Sequence, residues 1–150
     1  MSNRPSASQP PDGAAYRFFF DENLLPVGRH LAKTRNDVLH PDHPGIPEVR
    51  CGAKDFEWLP IVGARRLVLI TRDKRIRREP AELLHFQRFG VRGFVLTGKN
   101  ELSRDQKIAL IERRWRAIEQ HVIDSGPGPW MAGLDNNGRI RSIRLPRRPA

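Results

Sequence analysis

Two apolar runs in this chain end on acids. Phe18-Phe19-Phe20 runs into Asp21-Glu22-Asn23, and Leu67-Val68-Leu69-Ile70 runs into Thr71-Arg72-Asp73-Lys74. If both runs are adjacent parallel strands, Asp21 and Asp73 converge at one edge of one sheet, where doubly wound folds place their sites. Paired carboxylates there suit a hard divalent cation, Mg2+ or Mn2+, which takes oxygen ligands and leaves other positions to water and phosphate. Asp55 is the best third ligand, because it stands at a helix start facing the same edge, although a helix N-cap explains it as well. Glu57 is its alternate, and Glu22 beside Asp21 is a further donor. Thr71 reads as a hydroxyl that orients a bound water or Asp73. Such a set would position water, polarise a phosphodiester and stabilise the leaving oxygen.

The surroundings favour phosphate. The 150 residues carry 27 Lys and Arg against 17 Asp and Glu, a formal net charge of +10, which is an electrostatic footprint for nucleic acid. Arg72, Lys74, Arg75, Arg77 and Arg78 crowd around Asp73 as phosphate clamps, with a solvated charge run as the ordinary alternative. Arg139, Arg141, Arg144, Arg147 and Arg148 form a second cluster. Other chemistries lack their groups. His30, His40 and His43 supply no HxH or HxxxH pair on one helix, there is no GxSxG, and Cys51 has no clear basic neighbour. As the single cysteine, Cys51 cannot form an intramolecular disulfide, which fits a reducing, cytoplasmic location.

Placing the acids requires alternating strands and helices. Strands are expected over 16–20, 38–40, 67–71 and 93–97, with helices opening at Pro26, Asp55, Pro80 and Ser103 and a loop over 41–52. Pro60 should shorten or kink the second helix. In the last helix Ile108, Leu110, Ile111, Trp115, Ile118 and Val122 recur at helical spacing, a face that serves core or dimer equally. Segments 130–134 and 139–145 read as a hairpin closed at Asn137-Gly138, with its arginines outward. The order gives an α/β domain over 16–125 with a mainly parallel four-stranded sheet, then a basic C-terminal β-hairpin and tail over 126–150, packed on or extending that domain. Residues 1–15, rich in Ser, Pro and Gly, read as a disordered leader without a signal-length apolar stretch. The apolar runs fall far short of the roughly 20 residues a membrane-spanning helix needs.

The segments 18–24 (Phe-Phe-Phe-Asp-Glu-Asn-Leu), 55–59 (Asp-Phe-Glu-Trp-Leu) and 70–78 (Ile-Thr-Arg-Asp-Lys-Arg-Ile-Arg-Arg) together resemble the PIN-like domain family, specifically its VapC-type toxin ribonuclease branch. The resemblance implies a three-layer α/β/α sandwich, an acidic pocket holding Mg2+ or Mn2+, metal-dependent cleavage of RNA, and an antitoxin that blocks the pocket with a basic residue. Asp21 matches the first family acid, Asp55 the acid opening the middle helix, Asp73 the acid of the "TxD" motif, and Thr71 its hydroxyl. Members often carry a fourth acid shortly after "TxD"; here Lys74, Arg75 and Arg77 fill that region, leaving Glu22 or Glu57 as substitutes. Two rival readings are a receiver-type domain, with Asp73 as phosphoacceptor and Thr97 as its hydroxyl residue, and a nucleic-acid-binding module without chemistry that uses the basic hairpin.

Overall fold

A computed structural model describes residues 16–146; the expected leader over 1–15, Arg147 and Arg148 lie outside the described residues. Strand β1 (Phe18–Phe20) is flanked by β2 (Val38–Leu39) and β3 (Val68–Thr71), and the sheet continues through β4 (Arg92–Leu96), β5 (Trp130–Leu134) and β6 (Ile140–Ile143) in the order β2-β1-β3-β4-β5-β6. All pairings are parallel except β5 with β6. Side chains alternate across a strand. Phe18, Phe20, Val68 and Ile70 therefore enter one core with helices α1 (Leu25–Ala32) and α5 (Arg104–Ser125), while Phe19 and Leu69 enter a second with α2 (Asp55–Ala64) and α4 (Pro80–Arg88). Covered on both faces, β1 and β3 are buried at every position, as central parallel strands must be. The result is the expected three-layer α/β/α arrangement.

The sheet has six strands rather than four, because the terminal hairpin is part of it. Met131 to Leu134 are all buried, and β5 pairs along the whole of β4, from Arg92 opposite Trp130 to Leu96 opposite Leu134. An apolar strand with a buried face on either side completes the sheet more readily than it stands apart. The hairpin turn also differs from a two-residue Asn-Gly closure. Gly138, at φ 87°, donates its N–H to the Asp135 carbonyl at 2.9 Å, and Asp135 Oδ1 accepts the N–H groups of Asn137 and Arg139, each at 2.9 Å. An Asx turn closes it. Arg139, Arg141 and Arg144 are exposed along its outer side, as expected.

Helix α2 runs unbroken through Pro60, whose missing N–H would have served the Phe56 carbonyl in the solvent-facing first turn. Its N-cap is Lys54, so Asp55 is the first helical residue instead of the cap. The basic run after Asp73 is itself helical, α3 (Lys74–Arg78), anchored by a fully buried Ile76. One apolar residue in five gives no period to read. Ser103 does cap α5, in a reciprocal capping box with Gln106, and the apolar stripe of α5 packs into its own chain's first core. No helix among the described residues is long and apolar enough to cross a membrane.

Candidate active site

The site grows from the β1–β3 seam. Phe20 stands opposite Ile70, so the next residues, Asp21 and Thr71, meet where the chain order reverses about β1. Thr71, fully buried, donates its hydroxyl to Asp21 Oδ2 at 2.6 Å and accepts the Asp73 N–H at 2.9 Å. Asn23 Nδ2 also reaches Asp21 Oδ2, at 3.3 Å. The other oxygen, Oδ1, is buried without a hydrogen-bond partner. Burial, reinforced by the charges of Asp73 and Asp55, pushes the Asp21 carboxyl up to about 7 despite the Thr71 and Asn23 bonds. Such a carboxylate lacks a countercharge.

Asp73, 7% exposed, has one. Its Oδ1 accepts the Arg75 N–H at 2.9 Å, capping α3, and the Arg75 guanidinium closes on both oxygens, with Nε at 3.2 Å from Oδ1 and Nη2 at 3.0 Å from Oδ2. The N-cap reading of a strand-end acid therefore holds for Asp73, alongside its place at the site. The Arg75 side chain is otherwise 69% exposed.

Asp21, Glu22, Asp55 and Arg75 line a cleft of about 550 Å³, joined by Glu82 of α4 and walled partly by Phe56 and His85. Glu22 Oε1 accepts the Gly52 N–H at 2.5 Å, which ties the loop before α2 to the end of β1. Glu82 went unnoticed in the sequence. It lies nine residues past Asp73 in an ordinary amphipathic helix, and only the packing of α2 against α4 brings it to Asp55. The two carboxyls meet within hydrogen-bond reach; burial first, then Asp55, pushes Glu82 up to about 7, and its Oε2 has no partner. Two facing carboxylates need a shared proton or a cation between them.

The remaining expected residues divide. Glu57 is exposed on α2 and does not line the cleft. Arg72 is spent on an ion pair with Glu101, its side chain only 16% exposed, and it too lies outside the cleft lining. Arg78 is exposed on α3, the Arg77 Nε is buried and unpartnered, and the Lys74 side chain lies outside the described residues. His40 and His43 are buried beside each other, ring centroids 5.0 Å apart, in the loop against the second core.

The donor set fits a hard divalent cation: carboxylate oxygens converge, and both Asp21 Oδ1 and Glu82 Oε2 are buried and unpartnered. Among the described residues no three acids surround a single point, and Arg75 holds both oxygens of Asp73.

Fold and site together define a doubly wound α/β domain with an oxygen-lined cleft at its switch point. The sequence profile of the family described as "PIN like domain" matches residues 16–98, and the chain belongs to that family. Its domains are generally nucleases, hydrolases that typically use divalent metals. No curated protein and no solved structure matches the chain.

Proposed function

We propose that this protein is a Mg2+- or Mn2+-dependent endoribonuclease, the toxin of a toxin and antitoxin pair, hydrolysing RNA phosphodiester bonds in the cytoplasm. The observation that carries this reading is that Asp21, Asp55 and Glu82 line one cleft, with the Asp73 charge, outside that lining, acting on both Asp21 and Glu82, within a chain of net charge +10. Asp21, Asp55 and Glu82 would hold the cation, with Asp73 joining once Arg75 lets go. When bound, the cation supplies a Lewis acid for the phosphoryl oxygens and a lowered pKa for water. Thr71 keeps Asp21 Oδ2 occupied, so that Oδ1 is the oxygen free to face the cleft. Arg75, freed from Asp73, would be a bidentate donor lining the same cleft as the acids, suited to a backbone phosphate. Arg78, Arg139, Arg141 and Arg144 would hold more distant phosphates. An antitoxin would silence the cleft by offering a basic side chain to the acids, as Arg75 does to Asp73.

The test is incubation of structured RNA with the protein, with and without Mg2+ or Mn2+, comparing wild type with Asp21→Asn and Asp73→Asn. Cleavage that requires the cation and disappears in both variants is expected; no cleavage, or cleavage surviving both, overturns the proposal. The closed Arg75–Asp73 pair favours one second reading, a nucleic-acid-binding module without chemistry. RNA binding that persists in EDTA with no strand cut under any cation would select it. The receiver reading is weaker, since its acceptor, Asp73, is already bound by Arg75 on both oxygens.

A further inference from the structure

At the sheet edge opposite the acidic cleft, α2 and α4 end in the same doubly bonded turn. In α2 the Leu67 N–H donates to the Val62 carbonyl at 3.0 Å and the Arg66 N–H to Gly63 at 3.1 Å; in α4 the Val91 N–H donates to Phe86 at 3.0 Å and the Gly90 N–H to Gln87 at 3.1 Å. This ending holds one residue in the left-handed region and favours glycine there. Helix α4 supplies Gly90 at φ 65°, whereas α2 supplies Arg66 at φ 55°. An arginine thus occupies a backbone position where its Cβ is disfavoured and where the neighbouring helix uses glycine.

Both residues line one cavity of about 520 Å³, together with Gly63, Phe89, Arg92 and Gly128. Its walls are tight: a Cβ on Gly63 would fall 2.2 Å from the Phe89 carbonyl oxygen, and one on Gly128 2.2 Å from that of Gly90. Arg92 Nη2 donates to the Arg66 carbonyl at 2.5 Å. Burial, and then the nearby Arg66 charge, lowers the Arg92 pKa, with no acid among the causes. Arg88, outside the cavity lining, holds its guanidinium 5.8 Å from the centre of the Phe89 ring. No described carboxylate forms an ion pair with Arg66, Arg88 or Arg92.

Helix C-termini attract arginines, so part of this cluster is ordinary. The two helix ends, of α2 and α4, bring roughly half a negative charge each, less than the two full charges of Arg66 and Arg92 that line the cavity, and their last carbonyls are already bonded. A dipole partner could also stand anywhere in the last turn; it does not call for the left-handed residue. We propose that this cavity is an oxyanion site that takes a phosphate group, carried by a nucleic-acid strand or by a free phosphate compound, between Arg66 and Arg92. It stands independently of the acidic cleft.

Arg66→Gly is the informative variant, because glycine suits the backbone and unfolding cannot account for a loss. Wild type, Arg66→Gly and a charge-matched control, Arg113→Ala on the exposed side of α5, are titrated at constant ionic strength without divalent cations. One arm uses inorganic phosphate, the other a short 2′-O-methyl RNA oligomer, each followed by calorimetry and thermal melting. The expected result is that at least one arm binds wild type and the Arg113→Ala control alike, while Arg66→Gly binds about tenfold more weakly with an unchanged or higher ligand-free Tm. Binding in the phosphate arm assigns a free phosphate compound as a source, and binding in the oligomer arm alone assigns the strand. The proposal is overturned if neither arm binds, or if Arg66→Gly weakens binding no more than the control does.

Discussion

Thr71 gives its hydroxyl proton to Asp21 at 2.6 Å across the β1–β3 seam, and the same oxygen receives the Asp73 N–H at 2.9 Å. One buried hydroxyl thus sets the positions of two acids 52 residues apart in sequence. Thr71→Val keeps the shape but strands both partners. An unsatisfied buried group costs about 1–3 kcal/mol, so urea melts should show a loss of that size, and RNA cleavage should fall with it. Thr71→Ser should lie close to wild type. Equal stability of the valine variant and wild type would mean that the hydroxyl fixes nothing.

Stability should depend on pH in a defined direction. Asp21 moves from 3.8 to about 7 on folding, so the folded chain binds more protons between those values. Its stability is therefore full below 3.8, falls as pH rises through the window, and levels off above about 7. Glu82, raised from 4.5 to about 7, acts in the same sense. In metal-free protein, wild type should lose stability relative to Asp21→Asn as the pH is raised across this range. Parallel stability curves for the two proteins would refute the assignment.

On the proposed reading, Arg75 and a divalent cation compete for Asp73. Arg75→Gln removes the guanidinium that closes on both carboxylate oxygens while leaving the backbone N–H that caps α3. Calorimetric Mn2+ affinity should rise by about tenfold, the scale of one charge-assisted contact, while RNA cleavage at saturating Mn2+ falls because the phosphate loses a donor. Weaker Mn2+ binding in the variant would show that Arg75 does not stand in the cation's way.

Glu82 should behave oppositely in the two states. Without metal, Glu82→Gln replaces a carboxyl facing Asp55 by an amide that can donate to it, and the melting temperature at pH 8 should rise by a few degrees, on the order of 1 kcal/mol. With Mn2+, the same change removes a ligand, and affinity should drop. A variant that melts lower without metal and binds Mn2+ as wild type does would place Glu82 outside the site.

How much of this was legible in the sequence follows from what each signal depends on. Strand ends running into Asp21 and Asp73 could be read because parallel strands buried on both faces leave continuous apolar runs, and the family match bears out the fold they imply. The register that joins Asp21 to Thr71 then follows from strand pairing. Glu82 could not be read: its proximity to Asp55 is created by helix packing, and nothing in a local window marks it. The arginines after Asp73 were visible as charge but not as geometry. Arg72 goes to Glu101 and Arg75 to Asp73, partners that only the folded chain assigns. Strand β5 read as half of a terminal hairpin packed on or extending the domain, because turn chemistry links it to β6, whereas its pairing with β4 is non-local.

The tripeptide Phe18–Phe20 sends side chains into both helical layers and then delivers Asp21. On the proposed toxin reading, inactivating alleles from a genetic selection for cells that survive expression of this protein should therefore scatter through both cores, not gather on the acids. Loosening either layer displaces a carboxylate by fractions of an ångström, and a reacting centre tolerates little of that. Such an allele map would trace the packing of β1 from two sides and would treat a distant leucine in α1 or α2 as equivalent to the carboxylate it supports.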